Sequence, residues 1–283
     1  MFRPVKGVAE TRIHPTTMKI HHLNAGILQA AGSPAASCHC LLIELGERLV
    51  LVDTGIGLDD IRRPFERIGR EAIEAAGFQF HEQLTLARQV ERLGFKIDQV
   101  GDIVLTHGDP DHAGGLADFP HATVHLAVEE HSAIQRGGGR YSEAQFSHGP
   151  RWKPRAPSSD RWYGLESRSL DVAEGVDLRL IPLFGHTLGH CGVAVRNEKR
   201  WLLHVGDAYY LRVELATDLH PVSVLAAQRA EDDALRRASL ASLRELARQH
   251  GAEVEMFGYH DFQEFRASPE PSRSSDGRPV APA

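Results

Sequence analysis

Cysteine is scarce in this chain: Cys38, Cys40 and Cys191 are the only three in 283 residues. So small and odd a number excludes a disulfide framework and suits a reducing compartment. Long apolar runs are missing as well. No stretch approaches the ~18 consecutive apolar residues of a membrane span. The opening Met1-Phe2-Arg3-Pro4-Val5-Lys6 lacks the apolar stretch of a secretory signal. These absences point to a soluble, cytoplasmic protein with no membrane partner. Positive charge is not in excess either. The net charge is −6 and the pI about 6.3, which leaves no basic face for a nucleic acid. What remains is an ordinary globular chain, with 42% hydrophobic and 25% charged residues and enough length for one sizeable core.

Histidine, by contrast, is plentiful, and its placement is not random. In Thr106-His107-Gly108-Asp109-Pro110-Asp111-His112-Ala113-Gly114-Gly115, two histidines and two aspartates fall within six positions, just after the apolar run Ile103-Val104-Leu105. A strand therefore ends where a cluster of metal-ligand side chains begins. Three later segments repeat the arrangement. Gly185-His186-Thr187-Leu188-Gly189-His190 follows Leu180 to Phe184, Gly206-Asp207 follows Trp201 to Val205, and Tyr259-His260-Asp261 follows Val254 to Gly258. Strand ends and the loops beyond them are where α/β proteins bind ligands. Four of them at one rim would offer about seven ligands, enough for two metal ions. The alternative for the first segment alone, a polar turn with chance histidines, loses ground with each repetition.

These four pieces, in this order and preceded by Leu51-Val52-Asp53-Thr54-Gly55, resemble the metallo-β-lactamase-fold hydrolases. The family signature runs T-H-x-H-x-D-H-x-G-G, then G-H-T-x-G-H, then G-D, then a late histidine. The resemblance covers residues 18 to 265 and is nearest in pattern to the lactonases that cleave acyl-homoserine lactones. It implies a four-layer αβ/βα sandwich with the metals at one rim. It implies one ion held by His107, Asp109 and His186, another held by Asp111, His112 and His260, and Asp207 bridging them. The implied reaction is attack of a metal-bridging hydroxide on a small ester or lactone, with Asp111 orienting the nucleophile. Tyr210, three residues after Asp207, stands where the lactonases carry a tyrosine that hydrogen-bonds the substrate carbonyl, although an aromatic beside a strand end can also simply pack. Zinc is the first expectation for both ions.

Asp109 departs from the family pattern, which has histidine there. An added carboxylate hardens the ligand set and keeps iron or manganese open. The superfamily's oxygen-reducing di-iron branch also has a carboxylate at this position, but this chain lacks that branch's flavin-binding domain. Rival readings are a thioesterase, β-lactamase or phosphodiesterase on the same fold, or a di-iron redox or metal-sensing protein. The four motifs contain no arginine or lysine, which favours an uncharged substrate over a phosphodiester; Arg151, Lys153 and Arg155 are the cations that could upset this.

The rest of the chain supports these pieces. Asp53 reads as a support for the metal loop through hydrogen bonds, and His190 as a packing or supporting residue rather than a ligand. Cys38 and Cys40 read as buried small apolar residues on one strand face, the alternative being a thiolate metal pair. Residues 1–17 read as an irregular lead-in, 18–266 as the domain and 267–283 as a disordered tail rich in proline, serine and charge. Strands are expected at Met18–Leu23, Leu41–Glu44 and Leu49–Val52. A helix and loop are expected over Leu58–Ala76, a helix over Glu82–Leu93, and one long helix or two over Val222–His250. Residues 131–170, with Gly137-Gly138-Gly139 and several prolines, read as an irregular lid or loop.

Overall fold

The computed structural model describes residues 18–265 apart from 174–175 and 198–199; the proposed lead-in 1–17 and tail 267–283 lie outside the described residues. Strands β1 (Met18–Leu28), β2 (Ala36–Leu45) and β3 (Arg48–Val52) form an antiparallel meander. β4 (Phe78–Gln79) pairs with β1 at one edge. β5 (Val100–Val104), β6 (Thr123–Ala127) and β7 (Arg151–Arg155) continue the sheet in parallel from β3. The order is β4-β1-β2-β3-β5-β6-β7. A short ribbon, β8 (Arg161–Trp162) and β9 (Leu165–Glu166), leads into a second sheet. That sheet runs β10 (Arg168–Ser169), β11 (Leu178–Pro182), β12 (Cys191–Arg196), β13 (Trp201–His204) and β14 (Val254–Phe257), with β14 parallel to β13.

Side-chain alternation explains how the sheets stack. On β2, Leu41, Ile43 and Leu45 enter one apolar cluster and Cys38, Cys40 and Leu42 another. Successive strand residues point to opposite faces, so the strand is buried on both sides. The first set meets Leu178, Leu180, Val193, Val195 and Leu202 of the second sheet. The second set meets Leu86, Ala87 and Val90 of a helix, α4 below. The far face of the second sheet, with Ile181, Ala194 and Leu203, packs against Leu240, Leu243 and Leu246 of another helix, α9 below. The result is helix, sheet, sheet, helix: a four-layer sandwich of metallo-β-lactamase type, as the sequence implied. Among the described residues no helix is long and apolar enough to cross a membrane.

The helices are more broken than periodicity suggested. Leu58–Ala76 is three short helices, α1 (Leu58–Arg62), α2 (Pro64–Arg67) and α3 (Arg70–Ala76). Glu82–Leu84 is a 3₁₀ turn, and α4 (Leu86–Arg92) starts afresh where the Arg88 N–H donates to Thr85 Oγ1 at 3.4 Å. After β5 come α5 (Pro110–Ala113), α6 (Val128–Arg136) and α7 (Glu143–Phe146). Val222–His250 divides into α8 (Pro221–Arg229) and α9 (Asp233–His250), the latter capped by Asp232 Oδ1 on the Leu235 N–H at 3.0 Å. The reading of 131–170 as irregular is corrected: α6 ends there, and α7, β7, β8, β9 and β10 lie within it. β7 is an edge strand with no buried residue. An exposed edge tolerates Lys153 and Pro154 and leaves no apolar alternation to read. The strand expected at Met18–Leu23 runs on to Leu28.

Candidate metal centre

Four strand ends do meet at one rim. The loop after β5 is held by Asp53, one of two described non-glycine residues with positive φ (56°). Its carboxylate accepts from the Thr106 N–H, the Thr106 hydroxyl and His112 Nδ1, each at 2.8 Å. Three such bonds offset the roughly 1–2 kcal/mol cost of a left-handed residue. Glu130 on α6 ties this loop to the β11–β12 loop. Its carboxyl accepts from the Gly108 N–H (2.7 Å), Tyr141 hydroxyl (2.6 Å) and Thr187 hydroxyl (2.6 Å). Burial pushes its pKa up to about 7. Gly189 is needed for that contact, since a Cβ there would lie 2.1 Å from the Glu130 nitrogen. Gly206 turns the chain at φ +56° after β13, where a Cβ would strike His190 Nε2 at 2.5 Å. The segment after β14 is stitched to the start of β2. The Ser37 N–H donates to the His260 carbonyl and the His39 N–H to the Tyr259 carbonyl, both at 3.1 Å, and His260 Nδ1 bonds the Ser37 carbonyl at 2.9 Å.

His107, Asp109, Asp111, His112, His186, Asp207 and His260 are all buried in one cluster. Their donor atoms form three overlapping triads, each within 4.8 Å: His107–Asp109–His186, His107–His112–Asp207 and Asp111–His112–His260. Within them Asp109 Oδ2 lies 3.4 Å from His107 Nε2 and 3.2 Å from His186 Nε2. Asp207 lies 3.2 Å from His112 Nε2, 3.2 Å from His260 Nε2 and 3.4 Å from His186 Nε2. Asp111 lies 3.7 and 3.6 Å from the His112 and His260 nitrogens. Ligands at ~2.1 Å from a tetrahedral ion stand ~3.4 Å apart, so these spacings suit a divalent cation. Tautomers agree. His112 Nδ1 faces the Asp53 carboxylate and His260 Nδ1 a carbonyl, both pure acceptors. His107 Nδ1 faces Thr106 Oγ1, whose proton goes to Asp53. Each Nδ1 is thus the protonated nitrogen, and each Nε2 turns a lone pair inward. His107 Nε2, His112 Nε2 and Asp207 Oδ1 are buried without any hydrogen-bond partner, an arrangement that calls for a cation. Burial would raise the Asp207 carboxyl, but His260, His112 and His186 outweigh it and hold it well below the usual range.

Every residue singled out as a candidate ligand in the sequence lies in this cluster, and Tyr210 lies over it. The Tyr210 ring stands edge-on, with centroids 5.9 Å from His186 and 5.3 Å from His260. Burial, with Asp207 and Asp109 adding, raises its phenol well above the ordinary value and keeps the proton in place. His190 faces away from the triads, accepting the Asp207 N–H at Nε2 (2.9 Å) and meeting the Leu183 carbonyl at Nδ1. Cys38, Cys40 and Cys191 are free, buried thiols, with Cys38 and Cys40 in an apolar core cluster.

Three residues escaped sequence reasoning. Glu130 carries no motif. Tyr259 stacks on His112 at 3.7 Å and donates to the Asp111 carbonyl at 2.6 Å; its place beside His260 was the available signal. Arg140 pairs with Asp109, both carboxylate oxygens accepting at 2.6 Å, and its Nη2 lies 2.7 Å from His186 Nε2. Burial alone would raise the Asp109 carboxyl; Arg140 and His107 reverse this and hold it well below the usual range. Two of the suspected cations are engaged elsewhere, Arg151 with the His121 carbonyl and Arg155 with His125 and Asp171, and Lys153 lies on β7 opposite His125.

Comparison with known proteins identifies the family. The family model described as the metallo-beta-lactamase superfamily matches residues 34–254. Probable metallo-hydrolases of Mycobacterium tuberculosis and Mycobacterium bovis are each 39% identical over 257 residues, spanning 86% of this chain and 80% of theirs. Among solved structures, an N-acyl homoserine lactone hydrolase with N-hexanoyl-L-homoserine at its catalytic metal centre superposes with a TM-score of 0.67. It is 20% identical, covering 88% of this chain and 95% of that one. A hydrolase of the beta-lactamase superfamily, AbOPH, gives 0.57 at 16% identity, covering 93% and 91%.

Proposed function

The chain belongs to the metallo-β-lactamase superfamily, and from that premise we propose that it is a metal-dependent hydrolase of a small, uncharged carboxylic ester or lactone. The observation that carries the reading is the set of inward-facing nitrogens and carboxylates spaced for divalent ions, with a phenol above them. His107, Asp109 and His186 would hold one ion, and Asp111, His112 and His260 the other, with Asp207 shared. Zinc suits the histidines, and the three carboxylates also suit iron or manganese. Such ions, when bound, lower the pKa of a water and polarise a carbonyl.

The chain's own groups do the rest. Asp53 and the Tyr259 ring fix the His112 imidazole, so the donor set is preorganised. Asp111 offers the carboxylate that orients the attacking water and carries its proton towards the leaving oxygen. Tyr210 donates its phenol proton to the substrate carbonyl oxygen, where negative charge develops. The lactone-hydrolase likeness supports the substrate class at the level of fold, and the lack of arginine and lysine in the four motifs supports an uncharged substrate over a phosphate.

The test is to strip the protein with a chelator and reload it with zinc, manganese or ferrous iron. Lactones, aryl esters, thioesters, nitrocefin and bis-aryl phosphodiesters are then compared by kcat/KM. Ester or lactone hydrolysis that returns with metal is expected. Faster turnover of a phosphodiester than of any ester or lactone, or oxygen reduction without hydrolysis, would overturn the proposal.

A further inference from the structure

Arg140 follows Gly137, Gly138 and Gly139, all at positive φ (63°, 79° and 60°), at the end of α6. Tyr141, bonded to Glu130 at 2.6 Å, pins the far side of this turn. Between them the guanidinium is laid into the cluster. Nε and Nη2 each meet a different Asp109 oxygen at 2.6 Å, Nη2 lies 2.7 Å from His186 Nε2, and Nη1 donates to the Arg229 carbonyl at 2.9 Å. The side chain is 17% exposed, so the pair is largely shielded from solvent.

The consequence follows from lone pairs. A neutral imidazole offers one at Nε2, which can accept a guanidinium proton or bind a metal ion, not both. A bidentate carboxylate–guanidinium pair likewise occupies the Asp109 oxygens in their best geometry. Two of the three members of the His107–Asp109–His186 triad therefore already have a cation. Among the described residues no cationic side chain is paired with the Asp111–His112–His260 triad, around which stand Asp207, Asp53 and Tyr259. Charge points the same way, because one divalent ion together with Arg140 balances the carboxylates of Asp109, Asp111 and Asp207. The turn that carries Arg140 is itself loosely surrounded, since a Cβ on Gly138 or Gly139 would meet nothing within 4 Å.

We propose that Arg140 is a built-in competitor for the first metal position. The two positions then fill in order: Asp111–His112–His260 tightly, and His107–Asp109–His186 only as the guanidinium swings out. The inference rests on the metal-centre reading above, and its test does not depend on turnover. Full-length protein, stripped with a chelator, is titrated with Co(II) alone and followed by ligand-field absorbance. Bound Zn(II) is counted by elemental analysis after equilibrium dialysis. The proteins are wild type, Arg140→Met and Arg140→Lys, with circular dichroism and thermal melts to verify folding.

The wild type should bind one ion per chain, the second entering at free metal at least roughly tenfold higher. Arg140→Met should bring the second step down by roughly tenfold or more towards the first, and Arg140→Lys should fall between. Two equal steps in the wild type, or an unmoved second step in folded Arg140→Met, would overturn the competition while leaving the metal centre standing. If Arg140→Met does not fold, the separation of steps in the wild type and its change in Arg140→Lys decide the matter. Folded wild type that binds no ion would sink the metal centre itself, and the competition with it.

Discussion

At position 109 a carboxylate stands where the family pattern has an imidazole, and the structure supplies it with a guanidinium. Asp109→Ala removes a donor and strands a mostly buried cation. Breaking such a pair costs roughly 3 kcal/mol, so the metal-free variant should unfold at lower urea, and elemental analysis should show the first position poorly filled. A variant that melts and loads like the wild type would show that neither role is real. Tyr210 makes a different prediction. Replacing it with Phe keeps the ring over His186 and His260 and removes only the phenol proton. Steady-state kinetics should show kcat lowered by about tenfold, roughly 1.4 kcal/mol of transition-state stabilisation, with metal content unchanged. Equal kcat would leave Tyr210 a packing residue.

Elements differ in what they contribute, and two substitutions separate the contributions. Leu243→Ala on α9 opens a cavity on the far side of the second sheet, at a cost of about 2–5 kcal/mol. Denaturation should report that loss while metal affinity stays put. Glu130→Ala on α6 frees three donors belonging to Gly108, Thr187 and Tyr141, and should cost roughly 3 kcal/mol. Here chelator competition should also show affinity reduced by about ten- to a hundredfold, because two ligand-bearing loops lose their common tie. The contrast also marks what the sequence could reveal. His107, Asp111, His112 and His186 were legible because ligand chemistry clusters beside strand ends, and β2, β3 and β5 because buried residues alternate or run together. Glu130 was not, since a buried acid on a short helix looks like any surface acid until its three donors are in place. β7 and Arg140 were missed for a related reason. An edge strand and a glycine turn carry no apolar period, and a contact between residues 109 and 140 depends on how that turn is aimed. The irregularity of 131–170 was thus a misreading of exposed structure as absent structure.

For the molecule as a whole, buried and half-buried acids contribute to how stability depends on pH. Burial raises Asp118 to about 7, with Asp60 and Asp59 adding and the Leu58 N–H opposing; burial also raises Asp60 to about 6 against its partner Arg67. For an acid raised on folding, the native state keeps a proton that the unfolded chain has lost. The contribution of these two acids to stability should therefore fall as pH rises from about 4 to about 7 and level off above. Asp118→Asn should flatten part of that slope. In urea titrations the variant should match the wild type near pH 4 and exceed it at pH 8 by up to about 4 kcal/mol, the ceiling set by the shift. An unchanged slope would mean that this acid ionises freely. The tie between His260 and Ser37 has a consequence of another kind, in time. The last candidate ligand is bound to backbone near the opening of the described chain, so six of the seven candidates are made before the partner of Ser37 exists. Until then the proposed second position lacks a nitrogen, and the Ser37 and His39 N–H groups at the start of β2 lack their acceptors. On the proposed reading, a nascent or prematurely terminated polypeptide presents acids and imidazoles to passing ions without retaining them, and stable metal capture waits for synthesis to pass His260.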